Sequence, residues 1–561
     1  MAPPVTIPEP QTSLPPVRTD RGLLQWLSSV DHKQIGVMYL LTALLFFVAG
    51  GIEVMLIRIQ LITPNNTFLS PEVYNQLFTM HGTTMIFLVL MPTIVGLGTY
   101  FVPLQIGANE MAFPRLNAFS LWMTLFGGLI LYFSFLDGGG APNTGWFSYV
   151  PLSSRNFSST KGVDYYAIGI ILTGVGTLGG ALNFVVTILT LRAPDMKFSR
   201  LPVFVWMILL TAFLILAAFP FLNAGLAMLL IDRQLYAHFF SPDTGGSAIL
   251  WQHLFWAFGH PEVYILILGP FGIISEVVSV FSRQPVFGYR FLIGSGIAIA
   301  LLSFGVWAHH MFAVGLGNPI NGFFALASML IGIPTGIKVF NWIFTMWGGR
   351  IRFTVAMLFA TAFIVEFTIG GLSGISFALA PLDWHLTDSY YVVAHIHYVF
   401  LGGTLYSVFA GLFYWFPKLT GRMLSEKLGR IFFWMFFVGF NLTFILQHVL
   451  GVLGMPRRVY TYPDLPYYEV LNLASSLGAF LMAASIAVLF WNIGVSLRHG
   501  VIASANPWNG WTLEWATASP PPAKNFTLIP PVRSLRPLWD LKHPENPDWK
   551  HEKSKQARNE K

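Results

Sequence analysis

The chain has 561 residues, 54% of them hydrophobic and only 10% charged, with 18 Trp and 51 Phe. A soluble protein cannot hide that many uninterrupted apolar runs, and the net charge of +7 gathers in a few loops without the aromatic-interleaved basic patch that a nucleic acid needs. The absence of cysteine excludes a thiolate metal site, a thiol nucleophile and a covalently attached c-type haem.

Residues 1–35 read as an N-terminal arm, Pro-rich and polar from Met1 to Asp20 and without a cleavable signal pattern. Twelve apolar segments follow, each long enough to span a bilayer: 36–62, 78–103, 117–136, 164–192, 202–231, 249–281, 290–313, 321–345, 351–377, 390–416, 429–452 and 469–496. Backbone polar groups inside lipid must be satisfied within the chain. The predicted fold is therefore an all-α integral membrane protein, a twelve-transmembrane-helix bundle over residues 36–496. Arg18, Arg21, Lys33, Arg115, Arg192, Lys197, Arg200, Arg283, Arg290, Arg350, Arg352, Lys418, Arg422, Lys427 and Arg430 fall on one side of it. The opposite loops carry fewer cations, such as Arg233 and the Arg457-Arg458 pair. By the positive-inside rule both termini are cytoplasmic. Residues 497–561, Pro-rich and then mixed in charge, read as a cytoplasmic tail that touches other subunits.

Polar residues inside the spans carry the functional signal. In span 1, Arg58 stands at the outer end, where a cation can snorkel to the interface. Span 2 opens with His81. The loop after it holds Glu110, which by itself reads as a solvated carboxylate. Asn117, Thr177 and Asn183 are polar groups of the kind that join helices. Span 6 reads His260-Pro261-Glu262-Val263-Tyr264. His260 and Tyr264 share a helix face, and a carboxyl at the depth of Glu262 suits proton transfer because its ionised form is costly in hydrocarbon. Span 7 ends in His309-His310. Adjacent imidazoles diverge by about 100° on a helix, yet they can straddle one metal if a neighbouring helix adds a third ligand. Span 8 places Lys338 in the inner half, within snorkelling reach, with Thr335 one turn away.

Span 10 begins Tyr390-Tyr391-Val392-Val393-Ala394-His395-Ile396-His397-Tyr398. Residues two apart point about 200° apart on a helix, so this helix offers an imidazole to each of two centres. Six of the intramembrane histidines can be divided as His81 with His397, His395 alone, and His260 with His309 and His310. Imidazole suits iron and copper, and three neutral nitrogens with an open position suit a copper that handles oxygen.

At these residues the chain resembles subunit I of the haem–copper oxygen reductases of the A-type cytochrome c oxidase family. The resemblance runs nearly full length through span 12 and rests on Trp256 to Tyr264, Trp307 to Met311, Ile333 to Phe340, Tyr390 to Tyr398 and Gly454 to Arg458. It implies an enzyme that reduces O2 to water with electrons from cytochrome c and pumps protons. It implies two haems, a and a3, and copper B. His81 and His397 would ligate the low-spin haem, His395 the high-spin haem, and His260, His309 and His310 the copper. Tyr264 would be cross-linked to His260. Arg58, Trp146, Asp383, Arg457 and Arg458 would line the haems, and Asp388 would belong to a magnesium or manganese site. Glu110, Asn117 and Asn183 would form a first proton path to Glu262; Ser275, Thr335 and Lys338 would form a second. The implied partners are oxidase subunits II and III, cytochrome c docking through subunit II, O2 and membrane lipid, in a bacterial inner membrane.

Several positions depart from the family pattern. Glu110 stands for Asp, Thr99 and Ala118 for Asn, Glu276 and Thr387 for His, and Ile396 for Phe. Glu276 is read as feeding the Lys338 path, and Thr387 weakens the magnesium or manganese site. Glu366 is an unexpected carboxyl in span 9. A quinol oxidase of the same superfamily is the first alternative, but Val73 stands where that branch carries His. A nitric oxide reductase would lack Tyr264. A secondary transporter without redox centres would match twelve spans and leave six buried histidines unexplained.

Overall fold

The computed structural model describes residues 22–548 and 550. The first 21 residues of the arm and residues 551–561 of the tail lie outside the described residues. Among those described, twelve helices are long and apolar enough to cross a membrane. They are span 1 (His32–Gln60), span 2 (Pro71–Ile106), span 3 (Pro114–Leu136), span 4 (Gly162–Thr190), span 5 (Val203–Leu235) and span 6 (Ala248–Ser282), then span 7 (Tyr289–Val314), span 8 (Asn318–Met346), span 9 (Val355–Ala378), span 10 (Tyr390–Thr420), span 11 (Glu426–Val452) and span 12 (Pro466–His499). After twelve crossings His499 lies on the face where His32 begins. That face is called near, and the opposite one far.

Local chemistry sets the helix starts. Side chains of Asp31, Ser70, Thr354, Ser389 and Ser425 accept backbone N–H groups at the starts of spans 1, 2, 9, 10 and 11, satisfying donors that a helix N-terminus leaves free. Ser70 with Pro71 at the first position starts span 2 earlier than the apolar run suggested. Phe323, Leu326, Leu330 and Ile333 are exposed along one stripe of span 8. Their helical spacing marks a face turned to lipid. Close approaches bring the functional helices together. A Cβ on Gly451 of span 11 would lie 2.0 Å from the backbone nitrogen of Tyr391, so only glycine lets span 11 cross the start of span 10 at this distance.

Arg233, expected in an outer loop, instead ends span 5 inside the protein. Its guanidinium pairs with Asp164 at 2.7 Å and donates to the carbonyls of Ser153, Ser158 and Thr160. This network closes the long loop 137–161 onto spans 4 and 5. Arg233→Met is expected to cost about 3 kcal/mol or more, because it strands Asp164. A thermal-inactivation series that adds Asp164→Leu should recover most of the loss.

The tail also packs on the bundle. Lys418 donates to the carbonyls of Ala505, Thr517 and Ala518. Asn525 meets His32, Lys33 and Ala108, and the Trp515 indole donates to the Tyr414 hydroxyl at 2.8 Å. The near ends of spans 1, 2 and 10 are thereby covered by the chain's own C-terminal residues.

Candidate metal centres

Three histidines meet in the far half of the bundle. His310 Nε2 lies 3.2 Å from both His260 Nδ1 and His309 Nε2. A ring nitrogen carries at most one proton, so His310 cannot donate to both neighbours. Lone pairs converging in this way call for a cation. Nitrogens each about 2 Å from one ion are about 3 Å apart at tetrahedral angles, so the spacing fits a bound metal. It is the single grouping of three His, Asp or Glu ligand atoms within 4.8 Å of one another among the described residues.

Span 7 leaves α geometry after Leu302: it tightens at Ser303–Gly305, breaks at Val306 and runs as tight turns over Trp307–Val314 with a second break at Met311. Adjacent residues in such turns still diverge, by about 120°, so His309 and His310 reach one point from two sides, as a straddling pair with ring planes 53° apart. Ser328 sits 2.7 Å from His309 Nδ1, and the Trp256 ring stacks on His310 at 3.9 Å. Both orient ligands from outside, as metal sites require. Tyr264 packs against His260 with ring centres 4.8 Å apart.

His395 and His397 point to different partners, as their spacing predicts. His395 Nδ1 faces span 9, at 2.9 Å from Ser373 Oγ and 3.0 Å from the Gly370 carbonyl. His397 Nδ1 engages the Val393 carbonyl at 2.7 Å, and His81 Nδ1 the Gly50 carbonyl at 2.9 Å. With Nδ1 occupied, Nε2 remains for a ligand role on all three rings. The His81 and His397 rings are 10° from parallel with centres 6.4 Å apart. Two metal–nitrogen bonds of about 2 Å plus two ring radii of about 1 Å span nearly that distance. The pair thus fits axial ligation of one haem, with His395 a single ligand to a second. Both helices widen to π geometry just after these residues, at Thr84–Leu90 and Phe400–Leu405, a distortion frequent at functional sites.

The far-face residues lie beside these rings. Trp146 covers Gly82 and meets Trp256 edge-on at 5.9 Å. Arg457 pairs with Asp388 at 2.8 Å, and Arg458 lies over the Phe147 ring at 4.2 Å with its Nη2 buried and unpartnered. Burial, and then the neighbouring Arg457, pull Arg458 down to about 9, against Asp388. Burial and the nearby Asp388 push Asp383 up to about 7, against Arg457. Burial pushes the Asp388 carboxyl up, but the Arg457 and Arg458 guanidiniums win and hold it below the usual range. Two guanidiniums with one carboxylate between them suit an anionic group such as a haem propionate. Asp388 spends Oδ1 on Arg457, and among the described residues it joins no group of three His, Asp or Glu ligand atoms.

Two intramembrane cations do not snorkel. Arg58 is 4% exposed and donates to Ser476 and the Asn472 carbonyl of span 12. Lys338 is fully buried, donating to the Leu292 carbonyl at 3.0 Å over the Phe271 ring. Both side chains find nearer acceptors than the interface. Thr335 bonds back to the Ile331 carbonyl of its own helix, and Ser275 accepts from the Trp342 indole at 2.9 Å. Trp342 is one turn from Lys338, so this bond joins spans 6 and 8 near the lysine. Glu276, next to Ser275, lines a cavity of about 240 Å³ closed on one side by Trp511, Thr512 and Arg536 of the tail.

Near the other end of span 2, Glu110 is half-buried and accepts from the backbone nitrogens of His32 and Met111. Burial pushes its carboxyl up to about 7. Asn183 clasps both backbone groups of Phe113, and Asn117 is buried with its amide nitrogen unpartnered. Among the described residues no hydrogen bond joins this group to Glu262, whose two oxygens are buried without a partner there. Gly50, Ser328, Gly370 and Ser373 were not singled out from sequence. The two serines carried a usable signal, being polar residues within apolar spans.

The sequence profile of the family described as "Cytochrome C and Quinol oxidase polypeptide I" matches residues 34–481. The chain is 51% identical over 518 residues to "Cytochrome c oxidase subunit 1" of Bacillus sp. (strain PS3), covering 92% of this chain and 84% of the relative. It is 49% identical over 522 residues to the protein of that name from Bacillus subtilis (strain 168), covering 92% and 83%. Among solved structures, a heme-copper terminal oxidase dimer shares the fold, with a TM-score of 0.72 at 19% identity over 84% of this chain and 85% of that one. Twelve membrane helices, a three-imidazole cluster and a profile match over most of the length agree: the chain belongs to the cytochrome c and quinol oxidase polypeptide I family, as a membrane-embedded oxidase subunit.

Proposed function

We propose that this chain is the catalytic subunit I of a terminal oxidase that passes electrons from cytochrome c to O2 and couples the reaction to proton pumping. The observation that carries the reading is the convergence of His260, His309 and His310 beside the differently aimed His395 and His397. His81 and His397 would hold a low-spin haem a, His395 a high-spin haem a3, and the three-histidine cluster copper B. When bound, these groups supply the electron transfer and the reduction of O2 to water.

The chain's own residues orient and protonate. Backbone carbonyls and Ser373 and Ser328 hold Nδ1 of His81, His309, His395 and His397, which leaves their Nε2 for the metals, whereas His260 offers its Nδ1. Arg457, Arg458, Asp383 and Trp146 would receive the haem propionates, and Arg58 would stand beside the low-spin haem. Tyr264, cross-linked to His260, would give a proton and an electron at the copper side. Glu110, Asn117 and Asn183 would lead protons to Glu262; Ser275, Thr335 and Lys338 would serve the second path. The positive-inside rule sets the near face, with both termini, in the cytoplasm. The bundle expected over 36–496 runs from His32 to His499, and the described residues 500–548 form a tail on that face. Subunits II and III would complete the complex in a bacterial inner membrane, with the dinuclear copper centre on subunit II, since this chain has no cysteine.

The test is spectral and enzymatic. Pyridine-haemochrome typing should report haem a, and oxygen uptake should run on cytochrome c and not on quinol. Absence of haem bands would end the reading. His395→Ala and His397→Ala should remove different haem components, and loss of the same one from both would refute the division of ligands.

Glu110 adds a pH signature. Its carboxyl binds a proton more tightly in the folded protein than at the ordinary value of 4.5. The stability it contributes is therefore present at low pH and is lost as pH rises from about 4.5 to about 7. As a proton collector it empties across the same upper limit. Turnover should fall as pH rises through about 7, and Glu110→Gln should be slow and flat over that window.

A further inference from the structure

Span 9 carries a carboxyl that none of the roles above uses. Glu366 is 1% exposed, and none of the ion pairs among the described residues involves it. Its Oε1 accepts from Asn441 Nδ2 of span 11 at 2.8 Å. The other end of the same amide, Asn441 Oδ1, accepts the Tyr398 hydroxyl at 2.8 Å. One asparagine thus joins span 9 to the residue directly after His397.

Two contacts make this link matter for His397. A Cβ on Gly402 would come within 2.8 Å of Glu366 Cβ, so the side chain rests on the widened turn Phe400–Leu405 that follows the ligand. Phe444, three residues beyond Asn441 and on the same face of span 11, stacks on the His397 ring at 4.3 Å and 14°. Asn441 therefore holds the backbone after His397 through Tyr398, from the same face of span 11 that carries the aromatic wall against the ring. Its Nδ2 also donates to the Phe437 carbonyl one turn earlier at 3.0 Å, so without Glu366 the amide would settle on its own helix and loosen the tie between span 9 and Tyr398.

We propose that Glu366 is a positioning residue for His397: through Asn441 it fixes Tyr398 and Phe444, and so the plane of the imidazole that faces His81. An ionised carboxylate without a cationic neighbour is expensive at this depth. The group serves as a hydrogen-bond acceptor and not as a charge, so a glutamine can replace it. The proposal rests on the reading of His81 and His397 as the ligands of one haem.

The test uses the purified oxidase complex with Glu366→Leu, Glu366→Gln and Tyr398→Phe. The readouts are the electron paramagnetic resonance g values of the low-spin ferric haem, which follow the angle between the two imidazole planes, and the redox titration of that haem. Glu366→Leu is expected to shift the g values and to change the reduced-to-oxidised ratio at a set potential by about tenfold, with the high-spin haem unmoved. Tyr398→Phe removes a single hydroxyl, should fold wherever Glu366→Leu does not, and should shift the same signals. Glu366→Gln should restore the native spectrum. The inference is overturned if Glu366→Leu and Tyr398→Phe leave the low-spin signals unchanged, or if Glu366→Gln moves them as far as Glu366→Leu. A native complex with no low-spin haem signal would instead overturn the ligand reading beneath it.

Discussion

Replacing His310 by alanine is expected to lower bound copper to background and to slow oxygen reduction by ~1000-fold or more, about 4 kcal/mol on the barrier. His310 is the shared neighbour in the cluster, at 3.2 Å from each of the other two rings. Two ligands cannot keep a metal that three were placed to hold. The Trp256 ring, stacked on His310 at 3.9 Å, would face the space left behind. Metal analysis and oxygen uptake on the same preparation check this result. Full copper occupancy in His310→Ala would show that the cluster is not the copper site. His309→Ala should behave alike. Ser328→Ala, which removes only the group 2.7 Å from His309 Nδ1, should cost about tenfold.

Lys338→Met is expected to slow turnover by about 100-fold while leaving thermal stability equal or higher. The opposition of signs is the informative part. A buried ammonium with one carbonyl at 3.0 Å, a thioether sulfur at 4.0 Å and a ring face is poorly compensated. A methionine fills similar volume without the desolvation cost. A chain selected for stability alone would not keep lysine there, and the proposed proton path gives a reason to bear the cost. Steady-state turnover and a thermal melt on the same sample check both signs. Unchanged turnover in Lys338→Met would remove the lysine from the proton path. Ser275→Ala should have a smaller effect of the same sign, since Ser275 meets span 8 at Trp342, one turn from Lys338.

The long tail shows how far contacts can depart from composition. Its Pro-rich start suggests an extended segment available to other subunits. Yet Lys418, in the last turn of span 10, is saturated by three tail carbonyls, and Trp515 is buried against Tyr414. Nothing in residue order announces that a lysine and a tail carbonyl about a hundred positions later will meet. The same holds for Glu366, whose partner Asn441 lies 75 residues away.

The twelve spans and the three histidines of the cluster were legible from residues alone, because the bilayer dictates the length and polarity of every crossing segment. An imidazole in an apolar helix stands out for the same reason. The opposed directions of His395 and His397 follow from helical periodicity and needed no further information. Tertiary structure decided the rest. His309 and His310 meet His260 only because this end of span 7 packs against span 6. Span 11 reaches the start of span 10 only because residue 451 has no side chain. Arg58, Arg233 and Lys338 were each compatible with a surface position until carbonyls and hydroxyls from distant helices enclosed them. A span's existence depends on its own composition, whereas a side chain's partner depends on which helices pack beside it, and packing is a property of the whole chain.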